Sequence, residues 1–204
     1  MFGKKLEFYH SVAVNLKILV YGSKEFGAII KNLIINTNND FCGFIDDFDI
    51  NGVDIIGDFS FVLKNYSPEE FSIAIAIGYQ NLDARKRIYQ KVKSANYDTP
   101  SLIHHSAFLD STVRVGEGTF IMAGANIDVD SVIGNFVTIW PSVVISHNSE
   151  IGDNVFISPN ATLCGFSLLK ENIFVGAGAT IVDHTIVESN TFIKANSLFK
   201  NNRM

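Results

Sequence analysis

The chain has little cysteine, no surplus of positive charge and no long apolar run, and each shortage removes a class of protein. Its two cysteines, Cys42 and Cys164, stand far apart in 204 residues and in no metal-binding or redox spacing. A disulfide scaffold is therefore excluded, and each is read as a buried thiol of a reducing compartment. A net charge of −5 leaves no basic footprint for nucleic acid. No run reaches the length of a membrane span, and the opening MFGKKLEFYHSVAVN lacks an unbroken apolar core of signal-peptide length. The expectation is a cytoplasmic, soluble protein.

What is present is a period of six. From Leu109 to Phe199 every sixth residue is large and apolar, sixteen in succession without a slip. Two residues before each stands a small or β-branched one, as at Ala125, Ser131, Val137 and Val143. Neither a helix at 3.6 nor a plain strand at 2 holds such a period, whereas a short strand and a corner repeated around a prism does. Residues two apart on a strand share a face, so both registers point inward. Three strands of six residues close one triangular coil of eighteen, and coils stack roughly 4.8 Å apart. The spacing predicts a parallel β-helix of a little over five coils with no large inserted loop.

The first half alternates strand and helix. LKILVY from Leu16 reads as a strand ending at Gly22, GAIIKNLIINT as a helix, and FCGFI as a second strand closed by Asp46 and Asp47. After a short apolar piece and a short helix from Asp58 to Lys64, FSIAIAIG reads as a strand buried on both faces, followed by the charged helix NLDARKRIYQKVKSA. This is a small Rossmann-like parallel α/β domain. The division is a lead-in at 1–15, this domain at 16–100 and the β-helix at 101–204.

Several positions invite chemistry. The turn after the first strand reads GSKEFG, at the place where an open α/β sheet offers a helix N-terminus to phosphate. It lacks the second glycine of a dinucleotide fingerprint, and Glu25 in the first helical turn repels an anion. Asp46 and Asp47 suit a ribose hydroxyl, or simply close the strand. Among His10, His104, His105, His147 and His184, His147 falls at a β-helix corner two residues after the inward Ile145, where it either meets a ligand or is ordinary surface. His184 is two coils and one residue further on, so one chain does not place both on one metal. Outward positions at a step of eighteen, Phe120, Thr138, Phe156, Phe174 and Phe192, give one prism face four phenylalanines, expected to be an exposed stripe for a subunit interface unless the rest of the chain covers it.

The stretches SLIHHSAFLDSTVRVGEGTFI, VVISHNSEIGDNVFISPNATLCG and FVGAGATIV, preceded by the small α/β domain with IAIG and Arg85, resemble the hexapeptide-repeat sugar acyltransferases. These include the sialic acid O-acetyltransferase and nucleotide-amino-sugar N-acetyltransferase types. The resemblance implies a left-handed β-helix forming a homotrimer, with acetyl-CoA along its coils as acyl donor, no metal, and a nucleotide-linked sugar on the small domain. The activity it implies is acetyl transfer to an amine or hydroxyl of that sugar, in surface glycan biosynthesis. His147 matches the catalytic base, with Asn148 where the family usually has Asp or Glu. Gly165, one coil above His147, is the candidate oxyanion donor, or a glycine placed there for the turn alone. It joins Gly176 and Ala177 as candidate acetyl-CoA contacts. Gly22, Asp46, Asp47 and Phe156 are the candidate substrate contacts, Phe156 because a trimer would set its face against a neighbour's His147. The family's usual GVPAK stretch is absent, and Phe26 stands where a histidine is usual. A trimeric scaffold without turnover is the alternative from another class, and a metal-dependent hydratase a third.

Overall fold

A computed structural model describes residues 15–49 and 51–200. The lead-in read over 1–15 and the histidine at 10 lie, but for Asn15, outside the described residues. The described residues divide into two compact units, one ending at Leu102 and the other beginning at Ile103.

In the first unit, β1 (Lys17–Tyr21), β2 (Asp40–Ile45), β3 (Ile55–Gly57) and β4 (Phe71–Ile75) form one parallel sheet in the order β3-β2-β1-β4. Ile18, Leu19, Val20 and Ile73 have no exposed surface, as expected where both faces of a parallel sheet are covered. Helix α1 (Glu25–Asn36) buries Gly27, Ile30, Leu33 and Ile34, the spacing of one helical face. Helix α2 (Phe59–Asn65) starts at Asp58, whose carboxylate accepts the Phe61 N–H at 2.7 Å. Helix α3 (Leu82–Ser94) starts at Asn81, whose amide oxygen accepts the Ala84 N–H at 2.8 Å. The chain builds outward from β1 through β2 to β3, then returns for β4 on the other side of β1. The carboxyl ends of β1 and β4 thus form the switch point, where α/β sheets receive ligands.

The second unit is a parallel β-solenoid of three sheets, its strands two residues long and paired at a step of eighteen, as in Phe120↔Thr138↔Phe156↔Phe174↔Phe192. The predicted inward registers form its core: Ile121, Ile127, Ile133, Ile139 and Ile145 have no exposed surface, and neither do Val137, Val143, Val155 or Ala161. Corners repeat as strictly as strands. From Gly118 to Asn196, every sixth residue has φ between 53° and 67°, the left-handed region that glycine and asparagine enter most readily.

The expected bare phenylalanine stripe is corrected. Phe120, Phe156 and Phe174 are buried within the chain, and only Phe192 is well exposed, at 64%. A column of rings at coil spacing removes ring faces from water: Phe156 to Phe174 is 5.9 Å between centroids and Phe174 to Phe192 4.7 Å.

Candidate active site

The corner carrying His147 is held from inside and from the neighbouring coils. Ser149 and Ser131, in the inward register with no exposed surface, direct hydroxyls at corner carbonyls: Ser131 Oγ donates to the Ser146 carbonyl at 3.2 Å and Ser149 Oγ to that of Cys164 at 3.4 Å. Ser167 Oγ donates to the same Cys164 carbonyl at 2.6 Å. Polar groups in a solenoid interior are tolerated because these hydrogen bonds satisfy them. The backbone is tied in both directions, Asn148 N–H to the Val129 carbonyl at 2.9 Å and Phe166 N–H to the His147 carbonyl at 3.1 Å.

His147 itself is exposed. Its Nδ1 lies 3.1 Å from Asn148 Oδ1. An amide oxygen only accepts, so Nδ1 carries the proton and Nε2 is left as the basic nitrogen. The ring lies directly over Gly165: a Cβ there would come within 2.8 Å of His147 Cε1 and 2.9 Å of Nε2. Any other residue would push the imidazole aside, and this contact, not the turn, is the reason for glycine, because the left-handed position of the corner is Phe166. The Gly165 carbonyl accepts the His184 N–H at 3.0 Å, whereas the Gly165 N–H has no acceptor among the described residues. Phe166 stands edge-on to His147, centroids 5.2 Å apart and planes at 88°, and its other side stacks on His184 at 4.8 Å and 20°. His184 in turn lies 3.0 Å from an Asp183 carboxylate oxygen. The two histidines are thus separated by a phenylalanine ring, and among the described residues no three His, Cys, Asp or Glu converge as metal ligands.

The other candidates on the solenoid do not gather at this corner within one chain. Gly176 and Ala177 follow strand Phe174–Val175 at a different corner, where a Cβ on Gly176 would come within 2.4 Å of the Ala195 nitrogen. Phe156 belongs to the sheet facing away from His147 and is buried among the stacked rings. Both cysteines are free and half-buried.

At the carboxyl end of the small sheet, Gly22 has φ 111°, and a Cβ on it would lie 2.6 Å from the Ala76 carbonyl oxygen. Gly27 packs against the same turn, with room for no Cβ before the Gly22 carbonyl. These are the first and last glycines of a GxGxxG spacing, while Lys24 occupies the middle place and pairs with Asp49 at 3.1 Å. The Gly22 N–H is already given to the Ile45 carbonyl at 2.9 Å.

Asp46 and Asp47 are both heavily engaged. Asp46 accepts Ser23 Oγ at 2.5 Å and the N–H groups of Phe48 and Asp49 at 3.0 and 3.1 Å. Burial pushes its carboxyl up, but these hydrogen bonds outweigh burial and hold it below the usual carboxylate range. Asp47 accepts Tyr21 Oη at 2.5 Å, the Phe59 N–H at 2.9 Å and Lys91 Nζ at 3.0 Å, and is lowered in the same balance. Tyr21 is raised, first by burial and then by the same carboxylate. These contacts give both aspartates a structural role. Sequence reasoning missed them because the side-chain partners Ser23, Tyr21 and Lys91 and the Phe59 N–H stand twelve to forty-four residues away. It also missed Phe166, which stepping along the corner register would have exposed as a bulky residue in a left-handed series.

Comparison with known protein families matches residues 17–92 to the PglD N-terminal domain and residues 130–165 to the bacterial transferase hexapeptide of six repeats. The acetyltransferase domain of PglB from Neisseria gonorrhoeae is 28% identical, with a TM-score of 0.80 over 91% of each chain. The same domain in complex with acetyl coenzyme A is 26% identical, with a TM-score of 0.79 over 92% of this chain and 94% of that one. The chain thus joins a PglD N-terminal domain to bacterial transferase hexapeptide repeats. Its fold is also shared by the GDP-perosamine N-acetyltransferase of Caulobacter crescentus, solved as a histidine-to-alanine mutant with CoA and GDP-perosamine. That enzyme is 23% identical, with a TM-score of 0.82 over 93% of this chain and 90% of its own. Among the described residues no helix is long and apolar enough to cross a membrane.

Proposed function

We propose that the chain transfers an acetyl group from acetyl-CoA to an amine or hydroxyl of a nucleotide-linked sugar, with His147 as general base. The observation that carries this reading is the His147 ring seated on Gly165 with Nδ1 engaged by Asn148 and Nε2 left basic. As the sugar nitrogen or oxygen attacks the thioester carbonyl, its proton passes to Nε2. The Gly165 N–H is the candidate donor to the oxyanion that develops. When the carbon–sulfur bond breaks, the imidazolium returns its proton to the departing thiolate, so that acetylated sugar and free CoA leave. Asn148 orients the ring as a carboxylate would, without adding negative charge. An acetyl-CoA complex of a relative more than a quarter identical over nine-tenths of the chain supports the donor.

The small unit is the proposed nucleotide site, at the switch point beside Gly22 and the N-terminus of α1. Asp46 and Asp47 shape the neighbouring loop, which holds Phe48 with its ring 99% exposed and open for a base to stack on. A homotrimer in the cytoplasm completes the proposal. It sets the corner of one chain against a neighbour's face, and so offers Gly176 and Ala177 a part in a site that one chain alone does not assemble. Light scattering that gives the mass of a monomer at micromolar concentration removes the trimer.

The test is thiol release from acetyl-CoA with a panel of nucleotide-linked amino sugars. The parent protein is expected to turn over at least one, and His147→Ala to lose at least about a hundredfold. No thiol release with any acceptor would support the scaffold instead, and equal turnover by His147→Ala would remove the assignment of the base.

A further inference from the structure

The left-handed corner positions are filled mostly by Gly, Asn and Asp, which suffer least from positive φ. Phenylalanine occupies two of them, Phe136 at φ 57° and Phe166 at φ 58°. Phe136 is only 3% exposed, so burial of its ring offsets the backbone cost; Phe166 is 48% exposed and has far less of that compensation. A bulky residue held in this region without burial marks a position where something other than stability is served.

The neighbouring contacts show what that is. At another corner of the prism, Asn154, Asn172 and Asn190 form a column in which each side-chain amide donates to the next, at 2.6 and 2.9 Å. In the His147 column Phe166 follows Asn148 and offers no amide, and the Asn148 side chain is turned to His147 Nδ1 instead. The Phe166 ring stands perpendicular to the imidazole, and Gly165 lies beneath its Cε1–Nε2 edge. His184 stacks on the far side of Phe166 and backs it.

We propose that Phe166 is a positioning residue, retained in a strained corner because it props the His147 ring and leaves Asn148 free to orient it. This rests on the acyl-transfer reading above. The test is Phe166→Asn, which puts the corner's preferred residue type into the column, with melting temperature, kcat and both KM values measured on the full chain. The variant is expected to melt at the parent temperature or above it. Its kcat should fall about 10- to 100-fold, the cost of a slightly misplaced catalytic group. Both KM values should stay within roughly threefold of the parent. Phe166→Tyr, which keeps the ring, should restore most of kcat. Since Phe166 acts through His147, the double variant with His147→Ala should be no slower than His147→Ala alone. Parent-like kcat in Phe166→Asn, a joint fall of kcat and melting temperature, or additive losses in the double variant would overturn the positioning role. If His147→Ala itself keeps parent turnover, the assignment of His147 as the base falls and the positioning role with it.

Discussion

The two units are held by different means. The solenoid repeats one arrangement every eighteen residues, and its fully buried polar groups are neutral: Thr119, Ser131, Ser149 and Ser167 return their hydroxyls to backbone carbonyls. The small unit uses each contact once and places ionisable groups at its joints. Asp46 ties the turn after β1 to the loop after β2, Asp47 joins β1, α2 and α3 through Tyr21, the Phe59 N–H and Lys91, and buried Arg85 donates to the Ile77 carbonyl at 2.8 Å. In a repeat, a residue that departs from the pattern is visible against its equivalents in the coils above and below. In the small unit no such baseline exists, and an engaged aspartate looks in sequence like a free one.

Ways to break this contrast follow in order of expected effect. Removing the side chain proposed to bear the chemistry should leave the repeat intact: His147→Ala is expected to lower turnover at least about a hundredfold with the melting temperature and the KM for acetyl-CoA unchanged. If the melting temperature falls instead, the histidine belongs to the scaffold.

A methyl group at Gly27 should damage the small unit alone, since its Cβ would lie 2.1 Å from the Gly22 carbonyl. Overpacking of that kind costs about 1–3 kcal/mol. Fluorescence separates the units, because Trp140 is the chain's one tryptophan and five of its six tyrosines, Tyr21, Tyr66, Tyr79, Tyr89 and Tyr97, fall in the small unit. Gly27→Ala is expected to bring the tyrosine transition to lower denaturant and leave the tryptophan transition in place.

Acid offers a third test. Asp46 and Asp47 titrate below their ordinary value of 3.8 in the folded chain. Their contribution to stability is therefore complete above that value, and is lost as the pH falls from about 4 through the lowered folded values. The tyrosine signal should change first on acidification and the tryptophan signal later. Simultaneous transitions would mean that the carboxylates do not set the small unit's acid limit.

The smallest effect is expected at Asn148→Asp, which restores a charge beside the imidazole without moving it. Turnover should hold or rise, by no more than about tenfold. A fall would show that a neutral acceptor is required there.

How much could be read in advance follows from the same contrast. The inward registers were legible because sixteen equivalents report each position, and His147 because the corner register made it a candidate. The phenylalanine column was misjudged: outward direction follows from strand alternation, but exposure depends on what lies over the ring, which a period does not specify. The helices of the small unit were legible from their apolar spacing. The engagement of Asp47 with Tyr21 and Lys91, the latter two seventy residues apart, was not.

The corner period also makes length itself a quantised property of the solenoid. Removal of eighteen residues, one whole coil, would return every column to its own register, with Gly still over His if the cut lies elsewhere. A loss of six between the two would preserve every inward and outward choice and every left-handed corner, yet carry all later residues one face around the prism, so that 171 rather than 165 would stand over His147. Such a deletant could remain folded with its reactive corner dismantled. In a chain of this design, residue count modulo eighteen is as much a determinant of activity as the identity of any side chain.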